Sequence, residues 1–593
     1  MSDATAAAGS AAQPDIPPVD FVSPQLSLKA MGTGLLLGGT LSICNVYTGL
    51  KIGWGLNMSI TGILIAFAFW SVLNKISVGR VRMMNRLENN INQASCSAAG
   101  SVSSAGLVSA IPALTLIEGT RLEWWQLSLW MGTVCMVGIA VAMGLRRQMV
   151  IRDRLPFPGG IACAEMLKEI YNTGSEALKR VSVLTVAAVV SGLVKFAEIK
   201  KWVARSDLGA TLNGAPAATY TFALDPTLLM VAVGGLVGIR ACVSLLLGAI
   251  ISWGIIATQL VNAGTLPAAR GPIGEWLLWP GVTLMVVSSL VSFSFSMPSI
   301  LRSFRRTPDS GKAKEDTGEV SRSWFLAALG AALVAAVILQ TWFFGISWWA
   351  AILAVLLSFA LAVVASRVSG ETNVTPVGAM GKVTQLAFAV IAPKQAAANL
   401  MSASVTAGAA AQCADLMHDL KCGYLLGAIA RKQVIGQMIG AFAGSLVASA
   451  FYLVLVPDPA TMLLTDEWPA PAVAMWKSVA EVFRNGINTL PAGATTAMFW
   501  AAIAGVVLPI LEKTLPQRWR IWVPSAASLG LAFVIPANNS ISMFIGGVAA
   551  LALGKLFPKW SERFLVTICA GFIAGESLVG AGDALRLVLV GGK

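Results

Sequence analysis

A lysine in the middle of an apolar run is the first group in this sequence that could do chemistry. In "NVYTGLK", residues 45–51, Lys51 follows Asn45, Tyr47 and Thr48 at spacings that bring Thr48 and Lys51 to one helical face with Asn45 nearby. A lysine held at the centre of a bilayer costs about 2.5–3.5 kcal/mol, so it must snorkel, pair or face a watery cavity. Two readings follow: a helix end at the interface, or an unwound helix whose Asn45 and Lys51 meet a carboxylate of a substrate or of the protein.

"ENNINQASCSAAGS", residues 88–101, repeats polar side chains at helical spacing: Glu88, Asn92 and Ser95 on one line, Asn89 and Gln93 on another. Amides supply donors and acceptors together, which suits a peptide-like ligand, or they serve as glue between helices. "PFPGGIACAEMLK" sets Glu165 and Lys168 at i and i+3 after two prolines and a double glycine. The free N–H groups after Pro158 would attract an anion. The richest cluster spans "GETNVTPVGAMGKVTQ", with Glu371 and Thr375, and "CADLMHDLKCG", with Asp415, His418, Asp419 and Lys421. Near the end of the chain Glu576 stands in a Gly-rich apolar run, either as a proton carrier or as the partner of a base such as Arg586.

The elements that must position these groups are membrane helices. Of the 593 residues 56% are hydrophobic and only 12% are charged, and the mean hydropathy is +0.73. A soluble chain carries about a quarter charged residues. A bilayer ruler of roughly 20 apolar residues gives about 14–17 embedded segments, some re-entrant or broken. The expected fold is therefore an all-α polytopic membrane protein in the lipid bilayer of the cell membrane. The net charge of +13 falls in short segments such as 75–86, 146–154 and 302–314 rather than on a nucleic-acid face. By the positive-inside rule these segments are cytoplasmic, with the N-terminus on the same side.

The layout expected is a disordered tail at 1–27, a first transmembrane half at 28–301, a basic loop at 302–322 and a second half at 323–593. "NVYTGLKIG" (45–53) faces "NVTPVGAMGK" (373–382), and "ENNINQASCSAAG" (88–100) faces "ANLMSASVTAGAAA" (398–411), as in an internal duplication. Interrupted helices in corresponding positions of two halves point to a secondary transporter with its site between them.

No GxxxxGK[ST] occurs, so ATP-driven pumping by this chain alone is not expected. GxSxG and HExxH are missing, which leaves an intramembrane hydrolase a remote alternative to a non-enzyme; a passive channel is another rival. The eight cysteines are scattered and His418 is the only histidine, so neither a metal site nor a cofactor is expected.

Taken in order, "NVYTGLKIG", "ENNINQ", "PFPGGIACAEMLK", "GPIGEWLLWPGVTLM", "GETNVTPVGAMGKVTQL", "DLMHDLKCGYLLGAIARKQ" and "GFIAGESLVG" resemble the oligopeptide transporter family, which includes the yellow-stripe-like transporters of metal chelates. The resemblance covers about residues 28–590 and is closest to the prokaryotic type. It implies about 16 membrane segments and a secondary active, proton-coupled importer of small peptides or peptide-like compounds. The alternative cargo is a metal chelate, in which the chelator would hold the metal. The family often carries Asp where this chain has Asn373, and Gln where it has His418, a group that ordinarily titrates near about pH 6.5. The substrate path is expected at Asn45, Tyr47, Lys51, Asn89, Asn92, Gln93 and Thr375. Glu88, Glu165, Glu371, Asp415, Asp419 and Glu576 are the candidates for carrying protons. Oligomeric state is left open.

Overall fold

The structure is a computed structural model and describes residues 17–172, 174–212, 214–295, 318–486 and 490–591. Helices dominate it, and thirteen helices among the described residues are long and apolar enough to cross a membrane. Val377–Ile391 and Leu228–Val237 are apolar but shorter. Ala396–Leu426 runs unbroken for 31 residues through the centre, with nearly every side chain buried. The small residues before Cys413 stack as helix and carry Asp415 and Asp419 inward on the same rod.

One element order occurs twice. The first pass is α1 (Leu28–Ile52), α2 (Ser59–Ile76), α3 (Arg86–Ser101) with α4 (Ala110–Glu118), α5 (Trp124–Arg146), α6 (Pro158–Asn172), α7 (Gly174–Ile199), α8 (Leu228–Val237), α9 (Ile239–Ala249) and α10 (Arg270–Ser294). After α11 (Arg322–Phe344), which has no counterpart, come α12 (Trp348–Thr372), α13 (Val377–Ile391), α14 (Ala396–Leu426), α15 (Ala430–Leu455), α16 (Pro471–Asn485), α17 (Ala494–Thr514), α18 (Ala526–Val534), α19 (Ala537–Leu556) and α20 (Pro558–Gly591). The packing repeats as well: α7 lies on α20 as α10 lies on α17, and α8 on α19 as α18 on α9.

The two passes run in opposite directions. Lys29 at the start of α1 donates to the Arg82 carbonyl, and Asp20 donates its N–H to Gly427, so these residues share one end of the molecule. Lys421 reaches the Leu155 carbonyl at the same end, and Phe157 donates to Gly370 in the last turn of α12. Thus α1 begins where α12 finishes. Residues 1–16 of the expected tail and most of the basic loop 302–322 lie outside the described residues. Residues 17–27 lie against the turn after α14, where Gln25 accepts from the Ile429 N–H.

Small residues set the close packing at the centre. A Cβ on Gly34 of α1 would stand 2.9 Å from Ser95 Cβ, and one on Gly444 of α15 would stand 2.5 Å from the Ala99 Cα. The Ala/Ser/Gly run of α3 is therefore held between two backbones. Asn89 of α3 and Asn399 of α14 occupy matching positions, and each donates its amide to a carbonyl of the preceding helix: Ile63 at 3.3 Å and Gln385 at 2.7 Å.

Candidate functional site

The end of α1 builds one wall of a polar cavity lined by charged side chains. Gly53 closes the helix in the left-handed region, φ +93°, and donates to Gly49 at 2.8 Å. A Cβ there would meet Pro471 Cγ at 2.9 Å, so both conformation and space call for glycine. The chain beyond Gly53 is pinned by Asn45, whose amide donates to Leu56 and Gly100 carbonyls at 2.9 and 2.8 Å and accepts the Leu56 N–H at 3.0 Å. Asn45 thus clamps the break with both of its amide protons and one bond to its carbonyl oxygen.

Lys51 leaves the last turn of α1 and donates to the Glu467 carbonyl, with its ammonium 4.8 Å from the Trp468 ring centre. Tyr47 lies below, buried, edge-on to Trp468 at 5.2 Å. Carbonyl and aromatic faces stabilise the cation without neutralising it, so its charge is available to the cavity. That cavity holds about 370 Å³. Volumes of roughly 300–1,000 Å³ suit small molecules.

Glu576 of α20 faces the same cavity. Its Oε1 accepts from the Thr227 hydroxyl at 2.7 Å and its Oε2 from the Leu229 N–H at 2.8 Å, so the carboxylate sits on the N-terminus of α8. The next residue, Ser577, shares a hydrogen bond with Thr48 at 3.1 Å and fixes α20 against α1. Arg586, the expected partner of Glu576, pairs with Asp583 instead, because i,i+3 spacing places them together on the helix surface.

Residues not singled out from sequence complete the lining. Lys195 pairs with Glu198 at 2.9 Å; Asp225 pairs with Arg205 at 2.9 Å and accepts from Asn538 at 2.9 Å. Arg205 and Asp466 are shared with an adjoining cavity of about 300 Å³, where Arg270 pairs with Asp466. Sequence offered one signal, the Lys195–Glu198 spacing at the end of an apolar helix. The loop 200–226, folded by two short antiparallel ladders (Ser206–Asp207 with Ala223–Leu224, Thr211–Leu212 with Ala215–Pro216), supplies Arg205 and Asp225 and carries no periodic signal.

A second polar layer lies deeper. Gln93 of α3 donates to Asp419 of α14, and Gln433 donates to the Asp419 backbone carbonyl at 2.9 Å. Asp419 Oδ2 has no partner among the described residues although the residue is buried. Asn92 donates to Asn89 at 3.0 Å and to the Gly62 carbonyl at 3.3 Å. Asp415 lies one turn from Asp419 on the same helix, and above it the Ser101 hydroxyl of α3 donates to Gln412 at 3.0 Å.

The remaining expected residues stand near the opposite end. Glu88 is engaged by Arg82 at 2.8 Å and closes a capping box with Asn85. Arg367 bridges Glu371 at 3.2 Å and Asp153 at 2.8 Å. Glu165 is exposed, and it is Glu169, not Glu165, that enters an ion pair, with Arg180. Thr375 bonds Ser369 at 2.9 Å, and Ser369 bonds His418 Nε2 at 3.0 Å. The N–H groups at the start of α6, expected to be free for an anion, are taken: Gly159 donates to Asn373 at 2.9 Å and Gly160 to His418 Nδ1 at 3.3 Å.

The expected residues therefore form three groups: Lys51 and Glu576 on the cavity at the end of α1, the amides with Asp415 and Asp419 beneath the helix break, and structural pairs at the far end. Carboxylates and cations share the wall of that cavity, and a polar layer lies between it and the other end.

Comparison with known proteins places the whole chain in one group. The profile described as OPT oligopeptide transporter protein matches residues 25–582. The Saccharomyces cerevisiae protein YGL114W, named as an oligopeptide transporter, is 24% identical, covering 95% of this chain and 96% of its own. The Arabidopsis thaliana metal-nicotianamine transporter YSL2 is 22% identical over 93% and 92% of the two chains. A Haemophilus influenzae protein named as an oligopeptide transporter is 23% identical over 90% and 91%.

Proposed function

The chain belongs to the OPT oligopeptide transporter family and is a multi-pass membrane transporter, and from that premise we propose that it is a proton-coupled importer of small peptides or peptide-like zwitterions. The observation that carries the reading is the placement of Lys51 and Glu576 on one cavity. A peptide brings one carboxylate and one ammonium; the cation of Lys51 and the acids of the same wall offer a complementary partner for each. The antiparallel duplication supports alternating access, in which one pass rocks against the other around a site between them.

Proton coupling rests on the acids that lie between the two ends. Glu576 is reachable from the cavity, and Asp415 and Asp419 lie deeper, so a proton and a cargo could enter by the same route. The basic segments 75–86 and 146–154 lie at the end where Lys29 meets Arg82. By the positive-inside rule that end is cytoplasmic and the cavity opens outward, with the N-terminus inside. The cell membrane is the proposed location.

A second reading has a specific basis. The relatives named as metal-nicotianamine transporters extend over most of the chain, and an amino-acid-derived chelate presents several carboxylates and amines to the same wall. Uptake into proteoliposomes decides between them. Accumulation of a labelled short peptide above equilibrium, driven by an inward proton gradient and lost in Lys51→Met, is the expected result. Accumulation of a metal–nicotianamine complex without any peptide uptake would replace the peptide by the chelate, and downhill equilibration alone would remove the coupling.

A further inference from the structure

Lys382 of α13 is buried, 3% exposed, and no carboxylate pairs with it among the described residues. Among the described residues its ammonium has one hydrogen-bond partner, the Ser289 hydroxyl of α10 at 3.4 Å. That hydroxyl donates to the Met285 carbonyl at 2.6 Å, so its oxygen is the acceptor for Lys382. An ammonium has three donors, and burying it with one long contact leaves most of its hydrogen-bonding capacity unused.

The lysine folds back along its own helix. A Cβ on Gly378 would stand 3.9 Å from the ammonium nitrogen, which places the charge beside the first turn of α13. The cap position is Pro376, which brings no capping side chain, and the N–H groups of Gly378 and Ala379 have no acceptor among the described residues. Helix N-termini carry partial positive charge and point N–H groups outward. A second positive group beside such an end raises the field there further, an arrangement that is stable only with an anion or water to receive it. Gly378 and its neighbour Val374 are exposed, so the site has a mouth at the end of the molecule where α12 stops.

We propose that Lys382, the uncapped first turn of α13 and Ser289 form an oxyanion site at the end opposite Lys51. Carboxylate and phosphate share the required chemistry: several oxygen acceptors and a negative charge small enough to pass Gly378. Resting on the transport reading above, the site would receive the carboxylate of the cargo on the inner side, as Lys51 does on the outer side. The binding itself does not depend on which cargo is carried.

The test is thermal unfolding of the purified full chain in detergent, at matched ionic strength, in sodium chloride, sodium acetate and sodium phosphate. It is made in the Lys51→Met background, so that the outer lysine contributes nothing. The melting temperature is expected to rise by about 2–4 °C in acetate or phosphate over chloride at saturating anion. The larger response identifies carboxylate or phosphate as the preferred oxyanion. Lys382→Met should abolish the rise and Lys382→Arg should retain part of it. Gly378→Leu, which closes the mouth and leaves the lysine in place, should abolish it too and serves if Lys382→Met does not fold. No rise over chloride, or the same rise in both Lys382→Met and Gly378→Leu, overturns the site. Because no uptake is measured, failure of the transport reading leaves this result unaffected.

Discussion

The backbone N–H of Ala470 donates to the carbonyl of Leu50 at 2.9 Å, so the residue just before α16 is seated on the last turn of α1. Phe157 and Gly370 repeat the contact at 2.9 Å with the two passes exchanged. Both donors precede a helix-opening proline, Pro158 or Pro471, and both adopt left-handed backbone, φ 43° for Phe157 and 42° for Ala470. Proline disfavours helical backbone in the residue before it, which turns each chain sharply into its 15-residue helix.

That geometry makes Ala470 sensitive to branching at Cβ. Ala470→Val should lower the stability of the purified protein by about 1–2 kcal/mol, since a β-branched residue is poorly tolerated at positive φ. Ala470→Gly should melt within a degree or two of the parent. Equal melting temperatures for Val and Gly would show that the elbow is not under this constraint.

Lys51→Met should reduce uptake by roughly 10–100-fold at normal expression, the range expected for one charge-assisted contact. The Trp468 face and Glu467 carbonyl would still accommodate the apolar stem. Unchanged uptake would show that the cation is held for packing alone.

Glu576→Gln separates coupling from binding. The amide keeps one acceptor for Thr227 or Leu229 but cannot carry a proton in the transport range. Exchange of labelled for unlabelled cargo should persist while accumulation driven by a proton gradient is lost. If gradient-driven accumulation survives, the coupling group lies elsewhere, with Asp419 and Asp415 next in line.

Gln93→Leu removes the donor that faces the buried Asp419 carboxylate. A hydrogen bond to a charged group contributes about 1.5–3 kcal/mol, so the variant should lose that much stability, and Asp419→Asn should recover part of it in the double variant. Additive losses in a double-mutant cycle would mean the two side chains do not interact.

Asn45→Ala should act on stability more than on the Michaelis constant. It leaves two carbonyls and one N–H without partners, a loss of about 2–4 kcal/mol. A raised KM with an unchanged melting temperature would return Asn45 to the substrate path.

The fold class was legible because it depends on local pattern, apolar length and Gly-rich breaks, and pairing 88–100 with 398–411 aligns Asn89 with Asn399; pairing 45–53 with 373–382 is out of register, since Gly370 takes the place of Leu50 and Asn373 that of Gly53 at the helix end. Lys51 and Glu576 were legible because charge in an apolar run demands an explanation. What Asn45 bonds to was not, since Leu56 and Gly100 are reached only after the chain turns back. Lys195, Asp225 and Thr227 were missed for the same reason: they join Glu576 and Lys51 on one cavity from more than a hundred residues away, and their own surroundings in sequence read as a helix end and a polar loop. Glu88 looked like the other acids, yet Arg82 and Asn85 nearby in sequence already offered its cap.

The exchanged seats of Ala470 and Phe157 bear on how such a chain is made. Synthesis delivers the Leu50 carbonyl long before Ala470 exists, so the first pass leaves the ribosome with an empty seat and its own elbow, Phe157, has no Gly370 to dock on. Neither elbow can seat as the first pass emerges: Phe157 waits for Gly370 and the Leu50 carbonyl waits for Ala470, so the two latches become available late and in that order. Truncation after the first pass should therefore yield an inserted but unlatched bundle, and two separately made passes should rescue each other only when both elbows are intact.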